Sequence, residues 1–120
     1  AELAEPDYVQ ADKTRLYQVI SNLLTNAIKF TKEGTISISA DGNNNNNELI
    51  VTVKDSGEGI DSVIMPRLFK KFATRSEVGT GLGLYISKNI IEAHGGKMWA
   101  ENNSNGKGAT FSFSLPITQE

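Results

Sequence analysis

Helix-spaced apolar residues dominate the first third of the chain, after a short N-terminal stretch. Asp12 is a good N-cap for a helix that the pattern extends to about Lys29. The apolar side chains that share one stripe of this helix are Leu16, Ile20, Leu23, Leu24 and Ala27. Asn22, Asn26 and Lys29 project about 100° or more away from the centre of that stripe, given about 100° per residue. The pattern predicts an amphipathic helix with a polar strip at the edge of its buried face.

Two alternating segments follow and predict a hairpin. Residues 35–40 and 48–54 alternate apolar with polar side chains, which is typical of strands with one buried face. The side chains expected to face the core are Ile36, Ile38, Ala40, Leu49, Val51 and Val53. The asparagine-rich segment at residues 43–47 predicts a polar connecting loop.

The second half of the chain adds a helix and a closing pair of strands. Residues 82–93 are apolar on two sides, which predicts a largely buried helix that ends at His94. Residues 97–101 and 109–115 each predict a strand, with Phe111, Phe113 and Leu115 facing inward in the second. Asp61 is expected to cap a short helical stretch that Pro66 interrupts or restarts.

These elements predict a single domain over residues 1–120 with an α+β fold. With a short edge strand at Tyr8 and Val9, the prediction comprises about five strands and three helical segments. It describes a two-layer α/β sandwich, in which a mixed, mainly antiparallel sheet carries the helices on one face.

Composition excludes several classes of function. The net charge is −2 with dispersed Lys and Arg, so neither nucleic acid nor a membrane surface is expected as a partner. The absence of cysteine excludes disulfides and thiolate metal sites. No apolar run approaches the roughly 20 residues of a membrane span. We therefore expect a soluble, cytoplasmic domain that is monomeric in isolation, and a membrane-anchored parent protein is compatible with that expectation.

A glycine-punctuated turn, GTGLGL, leads directly into the second predicted helix. Gly79, Gly81 and Gly83 lack side chains at alternate positions, so the backbone can approach a ligand closely. The helix directs its free N–H groups to the same place, where a phosphate is the natural occupant. A glycine-rich hinge before a buried helix explains the same pattern equally well.

A carboxylate stands beside a second glycine turn. Asp55 precedes Ser-Gly-Glu-Gly at the end of a predicted strand. A buried carboxylate repels phosphate, but it accepts a hydrogen bond from an exocyclic amine such as that of adenine. The alternative is an aspartate that only forms the turn. Considered singly, Asn22 and Asn26 also fit solvated helix positions, and Lys29 fits a partner of the helix dipole.

Taken together, these motifs resemble the ATP-binding catalytic domain of sensor histidine kinases, in the superfamily that includes gyrase, MutL-type repair proteins and chaperone ATPases. The resemblance covers nearly the whole chain, in the family's order and spacing, and implies the Bergerat-type ATP-binding fold. The matching segments are an asparagine box at 22–30, a first glycine box at 55–59, a phenylalanine box with Phe69 and Phe72, a second glycine box at 79–84, and a closing Gly106-x-Gly108.

The resemblance implies a role for each matching position. Asn26 would bind Mg²⁺ with the help of Asn22, and Lys29 would contact phosphate oxygens. Asp55 would accept a hydrogen bond from the adenine amine. The other implied nucleotide contacts are Phe30, Gly57, Gly59, Ile60, Lys71, Arg75, Gly79, Thr80, Gly81, Leu82, Gly83 and Thr110.

The chain departs from the family pattern at the phenylalanine box. Where the family carries Phe-x-Arg-Phe-x-Arg, the basic positions read Lys71 and Thr74, and Arg75 comes one residue late. Lysine keeps the charge but lacks the bidentate fork of arginine, so Lys71 and Arg75 both remain candidates for the γ-phosphate contact. The lid between Phe72 and Gly79 is also short, so it is expected to close less completely, or to become ordered only with nucleotide and partner bound.

The implied activity is transfer of the γ-phosphoryl group of ATP-Mg²⁺ to a histidine on a separate dimerising hairpin, with a response regulator downstream. The resemblance implies that this hairpin lies N-terminal to residue 1. The single histidine here, His94, is predicted to cap or pack its helix and not to be the acceptor. Three alternatives stay open: a hydrolytic ATPase, a nucleotide-binding module of a degenerate kinase, and an anti-sigma-type serine kinase. Asn22 distinguishes the kinase from the hydrolytic ATPase, since the hydrolytic relatives carry a glutamate base at that position.

Overall fold

The computed structural model describes residues 11–43, 47–71 and 82–117. The elements, in chain order, are α1 (Lys13–Phe30), β1 (Ile36–Asn43), β2 (Glu48–Asp55), a short 3-10 helix (Met65–Arg67), α2 (Gly83–Ala93), β3 (Met98–Asn102) and β4 (Ala109–Pro116). The strands form one sheet in the order β1-β2-β4-β3. The two α-helices pack against each other. In addition, α1 packs against β2, and α2 packs against β3 and β4. The helices and the sheet therefore form two layers.

The predicted two-layer α+β architecture is confirmed, with corrections to the counts. Within the described residues the sheet has four strands and every pairing is antiparallel, so it is not mixed. The three predicted helical segments correspond there to two α-helices and one short 3-10 helix. Pro66 occupies the first turn of that short helix, where its missing N–H is tolerated. The edge strand predicted at Tyr8 and Val9 lies outside the described residues.

The core lies between the sheet and the two helices. Phe111, Phe113 and Leu115 of β4 are all buried, as their alternation predicted. From α1 come Leu23 and Ala27, together with a residue that the predicted stripe omitted, Val19, which is fully buried. Leu16, Ile20 and Leu24 flank this buried line and are half-buried against the core.

The inward side predicted for β1 is covered at Ile36, which packs against the core, but not further along the strand. Ile38 is 51% exposed and Ala40 is also exposed. They lie opposite Val53 and Val51, which are buried on the helix-covered face of β2. Because β1 is the edge strand and the helices pack over the strands beyond it, the alternation continues onto a part of the sheet that nothing in the described chain covers.

The helix ends are fixed by local hydrogen bonds and by one contact between the helices. Asp12 caps α1, because its Oδ1 accepts from the Arg15 N–H at 3.1 Å. His94, just after α2, accepts from the Asp12 N–H through Nε2 at 3.0 Å, and its Nδ1 lies 2.8 Å from the Ile90 carbonyl oxygen. The prediction that His94 caps and packs is confirmed. No helix in the described ranges has the length and hydropathy needed to cross a membrane.

Candidate functional site

Asp55 ends β2 with a carboxylate that is almost completely buried. Its Oδ1 accepts hydrogen bonds from the backbone N–H of Gly57 at 3.0 Å and of Ala109 at 3.2 Å. Its Oδ2 is buried as well, and no group in the described part of the chain donates to it. One oxygen therefore forms the turn, as the structural alternative proposed, while the other offers a buried acceptor to an external donor. A buried charged acceptor gains substantially from such a donor.

The first glycine turn presses against the end of α1. A Cβ on Gly57 would lie 2.9 Å from both the Phe30 carbonyl carbon and Thr31 Oγ1, so only glycine permits this approach. The Glu58 N–H donates to the Phe30 carbonyl at 3.3 Å, and the Phe30 side chain is buried. The helix end and the carboxylate-bearing turn are therefore held together as one unit.

A cavity of about 340 Å³ opens beside this turn, lined by Glu58, Gly59, Ile60, Asp61 and Ile64. Two of these residues, Gly59 and Ile60, are predicted base contacts, whereas Asp55 does not line the cavity wall. The two carboxylates in the wall would repel a phosphate, because like charges repel. The cavity is therefore better suited to a neutral group than to an anion.

The last residue of β3 and the loop that follows it support the turn from behind. Asn103 donates through Nδ2 to the Asp55 carbonyl at 2.8 Å, and its Oδ1 accepts from Thr110 Oγ1 at 2.5 Å. Thr110 is thus tied to the Asp55 turn through Asn103. Asn102 binds both backbone polar groups of Ile60. Sequence reasoning missed both asparagines, because a polar turn-rich loop gives no sign of what its side chains reach.

Asn22 connects the polar strip of α1 to the start of α2. Its Nδ2 donates to Ser87 Oγ at 3.1 Å and lies 3.4 Å from the Gly83 carbonyl oxygen. Ser87 is completely buried, and sequence reasoning missed it as well. With its N–H donors engaged by α2, Asn22 could reach a metal ion only through Oδ1. The contact sets the first turn of α2 against the asparagine strip.

Asn26 lies one helical turn after Asn22 and is half-buried. Its Nδ2 is buried with no hydrogen-bond partner in the described part of the chain. Among the described residues no neighbour therefore fixes the orientation of this carboxamide, and a half-turn of the amide exchanges its nitrogen for its oxygen. An amide oxygen at such a place suits Mg²⁺, which takes one or two protein oxygens and completes its shell with phosphate oxygens and water.

Lys29 and Phe30 end the helix beside each other. Lys29 is exposed, and its Nζ lies 5.6 Å from the centroid of the Phe30 ring. Asn22 and Phe30 are eight residues apart on α1, or about 12 Å at 1.5 Å per residue. One helix therefore spans the distance from the α2 contact to the Asp55 turn.

The start of α2 meets the requirements for an anion site only in part. Leu82 is the N-cap and makes no side-chain capping hydrogen bond, and Gly83 opens the helix. No acidic side chain occurs in the first turn, so the dipole there is not neutralised by the helix itself. Lys71 is exposed at the end of the described segment. The other predicted contacts lie outside the described residues, together with Phe72 and the short lid: Arg75, Gly79, Thr80 and Gly81.

Replacing Asn22 with aspartate is expected to lower the free energy of unfolding by about 1–3 kcal/mol, because a carboxylate cannot donate to the Gly83 carbonyl and repels it. The same change at Asn89, an exposed position of α2, adds the same charge and is the matched control. Urea unfolding of the two variants measures the difference. Equal stability of the two variants would show that the Asn22 contact does not hold α2.

Comparisons with known proteins agree with this arrangement. A family model described as histidine kinase-, DNA gyrase B-, and HSP90-like ATPase matches residues 11–119. The sensor protein FixL of Bradyrhizobium diazoefficiens is 41% identical in an alignment of 121 positions, which covers 95% of this chain and 23% of FixL. The nucleotide-free catalytic domain of the histidine kinase ThkA superposes with a TM-score of 0.78 at 42% identity, covering 90% of this chain and 70% of that one.

A second structure, full-length ShkA in complex with AMPPNP, matches with a TM-score of 0.82 at 30% identity, over 96% of this chain and 24% of that one. The chain spans about a fifth of the length of curated relatives such as FixL and the sensor histidine kinase WalK of Bacillus subtilis. The fold is that of histidine kinase catalytic domains. The chain therefore belongs to the histidine kinase-, DNA gyrase B- and HSP90-like ATPase family, as a catalytic domain of the sensor histidine kinase type.

Proposed function

We propose that this domain binds ATP with Mg²⁺ and delivers the γ-phosphoryl group to a histidine on a separate dimerisation domain of the same kinase. The observation that carries the proposal is the buried Oδ2 of Asp55, to which no group in the described ranges donates, beside an Oδ1 that two backbone N–H groups hold in place. The exocyclic amine of adenine is a donor of the required kind. A response regulator is the expected acceptor of the phosphoryl group in the next step of two-component signalling.

The polar side of α1, the start of α2 and nearby basic side chains bind the phosphates in this proposal. The first turn of α2 presents N–H groups and a positive dipole end, and Lys29, Lys71 and Arg75 supply positive charge. Mg²⁺, when bound through Asn26, would neutralise charge on the phosphates and hold them in line. Positioning and charge stabilisation are most of what a protein contributes to such a transfer.

Asn22 favours transfer over hydrolysis. A general base must take a proton from water, and a neutral carboxamide has no useful proton affinity near pH 7. Its Nδ2 is moreover engaged by Ser87 and lies near the Gly83 carbonyl, so the group works as a structural donor. The γ-phosphoryl group is thereby kept for a histidine, whose imidazole is itself the nucleophile.

The test is phosphoryl transfer from labelled ATP to a separately added histidine hairpin from a relative such as WalK. The domain alone should release almost no phosphate, and label should appear on the hairpin only when both are present. Asn26→Ala should reduce the transfer rate at least about 100-fold, the size of effect seen when a group that stabilises transition-state charge is removed. Thr25→Ala, at the exposed neighbouring position of α1, is the matched control and should keep the rate.

Each alternative function has its own outcome in this assay. Steady phosphate release by the lone domain, lost in Asn26→Ala, identifies a hydrolytic ATPase. Nucleotide binding without transfer to the WalK hairpin, or to a hairpin from the parent kinase, identifies a degenerate module. Label that is stable in acid identifies a serine kinase, because phosphohistidine is acid-labile and phosphoserine is not.

A further inference from the structure

We infer that Asn102 is a positioning residue for the nucleotide base, acting through the backbone of Ile60. The inference deepens the proposed function and rests on it. Asn102 Oδ1 accepts from the Ile60 N–H at 2.7 Å, and Asn102 Nδ2 donates to the Ile60 carbonyl at 2.9 Å. One side chain thus binds both polar backbone groups of a residue 42 positions away in the sequence.

Ile60 is the point at which the glycine turn meets the cavity. Its side chain is 5% exposed and lines the cavity wall beside Gly59. Gly59 has a φ of +82°, and a Cβ there would lie 3.1 Å from Asn102 Oδ1. The shape of the turn therefore favours glycine at position 59, and the hydrogen bonds from Asn102 hold the end of the turn at Ile60.

The neighbouring asparagine holds the opposite end of the same turn. Asn103 Nδ2 donates to the Asp55 carbonyl and to the Lys107 carbonyl, both at 2.8 Å. Asn102 and Asn103 together fix the two ends of the segment from Asp55 to Ile60, which carries the base-recognising carboxylate and one wall of the cavity. Asn102 sets the distance between these two features.

The chemistry at position 102 requires a carboxamide of this length. Asparagine supplies one acceptor and one donor in the same plane, which matches the N–H and C=O of a single residue. Aspartate keeps the acceptor for the Ile60 N–H but places a second oxygen against the Ile60 carbonyl. Alanine leaves both backbone groups without their partner, at a residue that is nearly buried.

The experiment is calorimetric titration of the 120-residue chain with ADP. Asn102→Ala should weaken ADP binding about tenfold, because it loses both hydrogen bonds to Ile60. Asn102→Asp should weaken it at least as much, because a second carboxylate oxygen would repel the Ile60 carbonyl that Asn102 Nδ2 now binds. Asn105→Ala is the matched control, because Asn105 Oδ1 accepts from the Lys107 N–H of its own loop, at 2.9 Å, and makes no hydrogen bond to the glycine turn in the described part of the chain. Its ADP affinity should stay within about twofold of the wild type, because its loss leaves the base site untouched.

A second readout separates positioning from loosening of the whole fold. In transfer assays with the histidine hairpin, Asn102→Ala should raise KM for ATP about tenfold and leave kcat within about twofold, because the phosphate end of the site is unchanged. Hydrogen exchange at the Ile60 amide should accelerate in Asn102→Ala but not in Asn105→Ala. If Asn102→Ala does not fold, the KM and kcat comparison is made with Asn102→Asp, which keeps the acceptor for the Ile60 amide but loses the donor to the Ile60 carbonyl.

Two failures are distinguishable. If wild-type protein does not bind ADP, the proposed function falls and this inference falls with it. If wild-type protein binds ADP and the Asn102 variants bind it as well as Asn105→Ala does, the inference alone is wrong. A fall in kcat as large as the rise in KM would also overturn the inference, because it would identify a general structural role for Asn102.

Discussion

Asp55→Asn is expected to weaken ATP binding about 100-fold while the domain stays folded. The two N–H groups of Gly57 and Ala109 would orient the new amide with its oxygen in the place of Oδ1. The amide nitrogen would then stand where Oδ2 is, and its hydrogens would face the hydrogens of the adenine amine. Two donors in contact, with the acceptor charge removed, account for the loss.

The same substitution should change base preference as well as affinity. Guanine carries a carbonyl where adenine carries its amine, so the wild-type carboxylate should reject GTP and the asparagine variant should discriminate far less. Calorimetric titration with ATP and GTP measures both effects. Asp61→Asn, an exposed acid in the cavity wall whose Oδ1 accepts from the Val63 N–H at 2.8 Å, is the matched control. Equal ATP affinity in Asp55→Asn and Asp61→Asn would refute the assigned role.

Gly108→Ala is expected to lower the free energy of unfolding by about 4 kcal/mol, a loss as large as severe steric conflicts cause. Gly108 is buried with a φ of +81°, and its added Cβ would overlap the Asp55 carbonyl oxygen. It would also lie 2.7 Å from the Asp55 carbonyl carbon and from Ser56 Cα. All three are atoms of the backbone, so no side-chain rotation can relieve the overlap, and the turn that carries Asp55 must move.

Gly106→Ala separates this steric conflict from backbone strain. Gly106 has nearly the same φ, +80°, but its added Cβ would meet nothing within 4 Å. Gly106→Ala should lower the free energy of unfolding only by the cost of placing alanine in the left-handed backbone conformation, about 1–2 kcal/mol. Urea unfolding of both variants tests the difference, and ATP titration of the folded Gly108→Ala protein should show impaired binding. Equal destabilisation of the two variants would mean that the approach of Gly108 to Asp55 is not what the glycine provides.

Features set by neighbouring residues were determined by the sequence. Asp12 caps α1 because its carboxylate reaches an N–H three residues away, a contact that needs no tertiary structure. The alternation of β4 placed Phe111, Phe113 and Leu115 in the core, because β4 lies in the middle of the sheet. The carboxylate of Asp55 beside its glycine turn was equally a local pattern, and the spacing of the motifs led to the family.

Only the tertiary structure decided which surfaces are covered and which distant groups meet. The alternation of β1 resembles that of β2, but the strand order places β1 at the edge and leaves Ile38 exposed. Asn22 reaches Ser87 across 65 positions, and Asn102 reaches Ile60 across 42. Side-chain periodicity reports which residues share a face of one element. Whether that face is covered, and which carboxamide completes the hydrogen bonds of a turn, depends on the packing of elements far apart in the chain.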